Sequence, residues 1–283
     1  MKIETVFDPR TYTLTYLVWD EATGDAVVID PVLDYDPVAV RFFNESNDKV
    51  AALIEQHGLT LRWVLETHAH ADHISGSQWL KEKFGAGIGI GANITVVQDF
   101  FGSLFNRQDI NDAEAFDKLL DDGEVFHAGS LAIKAISTPG HTPACMTFEI
   151  GGALFTGDAL FMPDFGTGRC DFPKGSAEQL YDSVQKLYAY PDDTPVFVGH
   201  DYQPGGRALE FETSIGESKA KNKQLKGHTS REDFVKFRTE RDATLRPPRL
   251  IFQSIQANVV AGKLPPAEEN GMRYLKLPIG VFA

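Results

Sequence analysis

His68, His70, Asp72 and His73 fall in one short run, Thr67-His68-Ala69-His70-Ala71-Asp72-His73. Imidazole and carboxylate are the ligands of borderline and hard divalent metals. A lone histidine is more often a surface group or a core hydrogen-bonder, but a His-x-His-x-Asp-His run behind a strand is a metal site. Leu61-Arg62-Trp63-Val64-Leu65-Glu66 reads as that strand, short and buried, and Ile74-Ser75-Gly76-Ser77 leads into a helix. A strand end held by its sheet can aim several donors at one point.

Three further strand ends carry the same kind of side chain. Leu131 to Ile136 alternates as a strand and runs into Pro139-Gly140-His141. Met146 to Ile150 and Ala153 to Phe155 form a hairpin around Gly151-Gly152, ending in Gly157-Asp158. Pro195 to Val198 reads as a buried strand ending in Gly199-His200-Asp201. Sites in α/β proteins form where strand ends and their loops converge, so His141, Asp158 and His200 join the first cluster as candidates.

The elements that position these residues are of both types. Thr11 to Trp19 and Ala26 to Asp30 read as a hairpin turning at Glu21 to Asp25, and Pro31 ends the second arm. Val50 to His57 has helical apolar spacing closed by Gly58, with His57 structural in the last turn. Gln78 to Phe84 is a second helix and Gly85-Ala86-Gly87 a turn. Residues 92–123 lack a clean period and are expected to form a helical or looped excursion near the site entrance. His127, alone before a turn, is read as outside the chemistry. In the tail, Ala208 to Leu225 places acidic residues first and basic last, as a helix dipole prefers. Thr229 or Ser230 can cap a helix from Glu232 to Arg241, and Leu250 to Val260 resumes the pattern after Arg246-Pro247-Pro248-Arg249. Phe252, Ile255 and Val259 are core or a dimer seam. The alternation of strand and helix predicts a mixed α/β fold.

The chain has 283 residues, 42% of them hydrophobic, enough for a large core. Its 27 Lys and Arg against 40 Asp and Glu give a net charge of −13, which argues against nucleic-acid or anionic-membrane binding. An anionic substrate would need a local basic pocket. Cys145 and Cys170 are the only cysteines; they make no disulfide scaffold and fit a reducing compartment, and Cys170 reads as a small buried residue. The N-terminus lacks signal- or transit-peptide character, and no apolar run nears the ~18 residues of a membrane span. A cytoplasmic location is expected.

Thr67 to His73, Gly140-His141, Gly157-Asp158 and Gly199-His200, in that order, resemble the signature of the metallo-β-lactamase superfamily over about residues 1–205. The resemblance implies an αββα sandwich with the metal at one edge, as a catalytic domain over 1–205. The remainder, 206–283, is expected as a C-terminal helical extension packed on it.

Ala159 to Phe172 narrows the resemblance. Its Gly168-Arg169-Cys170-Asp171-Phe172 is similar to the persulfide dioxygenase branch, although the loop before Arg169 and the tail are longer than in the human-type pattern. His200-Asp201-Tyr202 also resembles that branch. It implies one Fe(II) per chain on His68, His141 and Asp158, with His70, Asp72, His73 and His200 orienting ligands and bound water. The substrates implied are glutathione persulfide and O₂, giving glutathione and sulfite. Arg169 would clamp a substrate carboxylate, or else pair with Asp171 or Asp164; Tyr202 would line the same place. The related glyoxalase II holds two metals with the same seven residue types and hydrolyses a glutathione thioester, so the ligand list leaves both readings open. A non-catalytic metal-binding module is the remaining class. Glyoxalase II binds glutathione through its C-terminal helices, which makes Lys219, Arg246 and Arg249 candidates here. No rhodanese-like domain is visible, so a rhodanese-type sulfurtransferase partner would be a separate chain, and a homodimer is expected.

Overall fold

The computed structural model describes residues 1–110 and 113–281. In chain order its strands are β1 Lys2–Asp8, β2 Thr13–Trp19, β3 Asp25–Ile29, β4 Val32–Asp36, β5 Arg41–Phe43, β6 Thr60–Leu65, β7 Ile74–Ser75, β8 Gly87–Gly91, β9 Lys118–Leu120, β10 Val125–Ala128, β11 Leu131–Ser137, β12 Met146–Ile150, β13 Ala153–Phe155, β14 Pro195–Phe197 and β15 Glu212–Ser214. The α-helices are α1 Glu45–Gln56, α2 Ser77–Phe84, α3 Ile94–Phe105, α4 Ala177–Tyr188, α5 Ile215–Lys221, α6 Arg231–Asp242 and α7 Ile251–Asn258.

Two six-stranded sheets carry the fold, in the orders β1-β2-β3-β6-β8-β9 and β10-β11-β12-β13-β14-β15. Strand β2 explains how they stack. Its successive side chains point to opposite faces, and both faces are buried. Leu14, Tyr16 and Val18 enter the core shared with β10 to β14, while Leu17 and Trp19 enter the one shared with α1, α2, α3 and α7. β3 divides in the same way, Val27 and Ile29 inward, Ala26 and Val28 outward. On the far side, α4 presents Leu180, Val184 and Leu187 to the second sheet at helical spacing, each fully buried. Each such side chain contributes about 1.5–3 kcal/mol. The Ser176 hydroxyl caps α4 by accepting from Gln179 N. This is the αββα sandwich.

Several expectations change. Gly87, expected to close a turn, instead opens a parallel strand over 87–91 between β6 and β9, a segment given no element in the sequence. The strand is rich in glycine because a Cβ on Gly87 would meet the Trp63 ring at 2.6 Å. α1 begins at Glu45, a turn and a half before the expected start, and His57 at its end stacks on Trp19. α3 does not border the site; Phe101 and Phe105 pack it into the outer core. Residues 111–112 of the expected excursion, and the last two of the tail, lie outside the described residues.

The expected helix over 208–225 is instead an extended stretch, β15, and the short α5. Asp201 accepts the Glu210 amide at 2.8 Å and holds Arg207, so the chain stays extended until β15 pairs with β14. α6 starts where expected, capped by Ser230. α7 buries Ile255, with Val259 just beyond its end, so these positions are core. No α-helix covers 263–281. Among the described residues no helix is long and apolar enough to cross a membrane.

Candidate metal centre

The ligand loop leaves β6 and is fastened before it reaches its first histidine. Asp30 sits at the end of β3 in the left-handed region (φ 49°), a conformation that costs energy for a residue with a Cβ. Its carboxylate accepts from Thr67 N at 2.7 Å and from the Thr67 hydroxyl at 2.8 Å. Opposite lies Gly157 (φ +48°), where any Cβ would collide with Thr67 Oγ1 at 2.5 Å. A glycine there lets the loop carrying Asp158 approach the loop carrying His68.

Four imidazoles then show the same logic. The His141 Nδ1 lies 2.7 Å from the Arg169 carbonyl, and the His200 Nδ1 lies 3.2 Å from the Tyr12 carbonyl. Carbonyls only accept, so each Nδ1 carries the proton and each Nε2 carries a lone pair. The His68 Nδ1 is 3.0 Å from Thr67 Oγ1, whose own proton goes to Asp30; His68 therefore donates too. His73 is set by a longer relay. Its Nδ1 is 3.2 Å from Thr13 Oγ1, which is 2.8 Å from Thr11 Oγ1, which donates to Asp8 at 2.6 Å. With the last proton fixed on Asp8, each hydroxyl accepts from the next, and His73 is again an Nδ1 donor.

The inward atoms lack protein partners. His68 Nε2, His73 Nε2, His200 Nε2 and Asp158 Oδ1 are buried and make no hydrogen bond, although buried polar atoms are nearly always paired. Asp158 stands between His141 Nε2, 3.6 Å from Oδ2, and His200 Nε2, 3.4 Å from Oδ1. Asp72 Oδ2 is 3.5 Å from His200 Nε2. Three groups of donors result among the described residues: His68, His141 and Asp158; His70, Asp72, His73 and His200; and Asp30, Glu66 and His70, which shares His70 with the second; in each, one ligand atom per residue lies within 4.8 Å of the others. Lone pairs converging on a buried point, with their outer nitrogens protonated, fit a metal cation.

The electrostatics agree. Burial and the neighbouring imidazoles push His68 well below its ordinary value, keeping it neutral. Burial opposes the charge on Asp72, but His200 and His73 hold its carboxyl well below the usual range. His70 differs from the rest. Its Nε2 is 3.0 Å from Asp30 and 3.3 Å from Glu66. Burial opposes its charge, yet the two carboxylates raise the imidazole well above its ordinary value. Neither ring nitrogen makes a well-formed hydrogen bond, and Nδ1 faces away from the two carboxylates that approach Nε2.

A cavity of about 840 Å³ opens above Asp72, His141 and Asp158. Tyr202 forms one wall, stacked on His200 at 5.6 Å and packed against Phe165 at 4.6 Å. Burial raises its phenol well above the ordinary value, helped by Asp158 and Asp72. Arg169 and Arg249 both line the cavity, as does Arg41. Lys219 does not: its ammonium sits on Asp192 at 2.6 Å, and Gly227 packs beside its stem. Arg246 is exposed and contributes its carbonyl, which accepts from Arg169 Nη1 at 2.8 Å.

Residues that sequence reading passed over do much of the positioning. Arg238 and Asp242 form a buried pair on α6, 3% and 6% exposed. Arg238 Nη1 reaches the Thr167 and Gly168 carbonyls at 3.3 and 3.2 Å, and Asp242 accepts the Cys170 amide at 2.7 Å. Together they hold the segment 167–170 that delivers the Arg169 carbonyl to His141. Their i, i+4 spacing is visible in sequence, but it is also that of any surface pair. Glu66 and Asp30 flank His70 from adjacent strand ends, and Asp30 before Pro31 was the available signal.

A family model of the metallo-β-lactamase superfamily matches residues 8–200. The chain belongs to that superfamily. A probable metallo-hydrolase of Burkholderia pseudomallei is 45% identical over 99% of both chains. Glyoxylase B2 of Dictyostelium discoideum is 43% identical, over 98% of this chain and 97% of that one. The human mitochondrial persulfide dioxygenase ETHE1 is 33% identical over 92% of this chain and 88% of that one. Three other bacterial relatives are longer, and the chain spans 65% of each. Among solved structures, ETHE1 from Myxococcus xanthus superposes with a TM-score of 0.76 at 34% identity, over 93% of this chain and 100% of that one.

Proposed function

We propose that the protein is a persulfide dioxygenase acting on glutathione persulfide at one Fe(II) per chain. The observation that carries this reading is the group His68, His141 and Asp158 at the floor of an open cavity with arginines on its wall and rim. Two histidines and one carboxylate are the donor set of non-haem iron oxygenases, in which the metal, when bound, leaves positions open for a thiolate and O₂. The resemblance of Gly168 to Phe172 and the kinship with the persulfide dioxygenase support it. The overall reaction would be glutathione persulfide, O₂ and water giving glutathione, sulfite and two protons; the outer sulfur loses four electrons and O₂ gains them.

The chain's own contribution is orientation and exclusion. The Arg169 and Tyr12 carbonyls keep the His141 and His200 rings aimed inward. Tyr202, Phe161 and Phe165 make an apolar, aromatic wall that limits water beside the reacting sulfur. Arg41 and Arg249 offer cations to the carboxylates of a glutathionyl group, which an acidic chain must do locally. Among the described residues no hydrogen bond or ion pair occupies either guanidinium. A separate rhodanese-type sulfurtransferase would supply the persulfide.

The second group, His70, Asp72, His73 and His200, favours a competing reading: a dinuclear hydrolase of the glyoxalase type, with bound water brought to a pKa of roughly 7. Both readings meet one experiment. Iron-loaded protein given glutathione persulfide should consume O₂ and release sulfite. Absence of O₂ uptake by fully loaded protein, with cleavage of a glutathione thioester at two metals per chain, establishes the hydrolase instead.

A further inference from the structure

α7 hydrogen-bonds the ligand loop through the side chain of Asn258, beside the packing of Ala257 with Ile74. Asn258, in its last turn, is 3% exposed. Its Nδ2 donates to the carbonyls of His70 and His73, each at 2.8 Å, and its Oδ1 accepts the Ser75 amide at 2.8 Å. A primary amide has two N–H donors and one carbonyl acceptor, and here both ends are committed to one loop. The two carbonyls bracket Ala71 and Asp72. Their separation sets the curvature of the loop, and with it the directions of the His70, Asp72 and His73 side chains.

The contact continues inward. The Ser75 hydroxyl donates to Glu66 Oε1, while Glu66 Oε2 lies 3.3 Å from His70 Nε2. It is also anchored outward, because Gln98 Nε2 donates to the Val259 carbonyl at 2.7 Å and Ile255 is fully buried. A filler of the gap between α7 and the loop would need Asn258's volume but not its donors.

We propose that Asn258 is a positioning residue for the metal centre: α7 fixes the curvature of the loop from His70 to Ser75, and so sets the metal affinity of the group His70, Asp72, His73 and His200. The assignment rests on this group taking a metal, as the two-metal reading has it; a wild type that binds a single Co(II), lost in Asp158→Asn, leaves the group empty and overturns it. Asn258→Asp keeps the shape and an oxygen for Ser75 N, but turns lone pairs toward two carbonyls.

The test titrates metal-free wild type, Asn258→Asp and Ser254→Ala with Co(II), with folding followed by circular dichroism. Asn258→Asp should stay folded and bind Co(II) roughly tenfold more weakly or worse, the usual cost of losing an outer partner of a ligand. Ser254, in the same helix, donates to the Leu250 carbonyl at 2.7 Å, and its alanine variant should bind like wild type. Wild-type affinity in Asn258→Asp, or an equal loss in Ser254→Ala, overturns the proposal. Should Asn258→Asp not fold, hydrogen exchange of the wild type decides. Co(II) should slow amides of α7 together with those of the loop, and an α7 indifferent to the metal overturns the coupling.

Discussion

Arg169 and Asp171 hold each other through two parallel contacts, Nε to Oδ1 and Nη2 to Oδ2, each at 2.5 Å. With Nη1 on the Arg246 carbonyl, the guanidinium is committed to protein groups. The pair is only partly exposed, 20% and 34%, and the carboxylate raises the arginine further. Asp164, the other partner the sequence allowed, belongs to Arg207 at 2.6 Å. Arg169 thus braces the cavity wall against the tail. Arg169→Lys keeps the charge and loses the fork. Discounted for solvent, the loss should be about 0.5–1 kcal/mol of unfolding free energy, measured by urea titration. Metal content should not change, because His141 is held by the Arg169 backbone carbonyl.

Substrate charge then falls to the rim. Arg41 and Arg249 are exposed and flank Asp36, whose carboxyl is lowered first by the Ala39 and Val38 amides and then by these arginines. Alanine at both positions should raise KM for an anionic thiol substrate by about tenfold and leave kcat within about twofold, the pattern of lost uniform binding. The effect should shrink as ionic strength rises. Initial rates at low and high salt measure it, and an unchanged KM would move the anion site elsewhere.

The relay from Asp8 through Thr11 and Thr13 to His73 is open to a near-isosteric change. Thr13→Val removes the hydroxyl that accepts the His73 Nδ1 proton and frees the ring to take the other tautomer. Metal bound by the group containing His73 should weaken by roughly tenfold, while His68, His141 and Asp158 keep theirs. Metal analysis after dialysis at graded chelator concentrations reads both. If the protein binds one metal, on that first group, the variant retains it and Asp158→Asn loses it.

The candidate donors were legible because their chemistry is local: each is a histidine or aspartate just beyond a strand end, and His141, Asp158 and His200 each follow a glycine. The groups that aim them were not. Asn258 acts on His70 across 188 positions, and nothing in its neighbourhood on the chain marks it. Arg238 and Asp242 look like an ordinary helical ion pair until α6 is laid on the segment 167–170. The mistaken helix at 208–225 shows the converse. Its acidic-then-basic order suits a helix dipole, but Asp201 and the edge of β14 claim the backbone first. β8 escaped notice because its glycines, Gly87 needed under Trp63 and Gly91 against the Ala144 carbonyl, erase the pattern of a strand.

Both cysteines should be chemically silent in the folded protein. Cys145 is buried and its thiol is pushed up to about 12, by burial first. Burial also raises Cys170, whatever the nearby Arg238 does to lower it. The reactive species is the thiolate, so alkylation at about pH 8 should be negligible in the native state and reach both residues in denaturant. Rapid native labelling of Cys170 would mean that the 167–170 segment opens, and mass spectrometry of the labelled peptides would locate it.

That segment also makes the strongest stability prediction. Asp242→Asn leaves the Arg238 charge buried with no counter-charge, at a cost of about 3–5 kcal/mol, far above the worth of an exposed pair. The asparagine can still offer one oxygen to the Cys170 amide, so the loss should come mainly from Arg238. Arg238→Met combined with Asp242→Leu removes both charges and should cost less than Asp242→Asn alone. It cannot restore wild-type behaviour, because the Thr167 and Gly168 carbonyls and the Cys170 amide lose their partners. Those groups shape the wall beside His141, so the double variant should regain stability while its KM rises above wild type. Urea unfolding and steady-state kinetics on the same preparations separate the two effects. A single variant within about 1 kcal/mol of wild type would show that Arg238 finds water there, and that α6 is not what holds the segment.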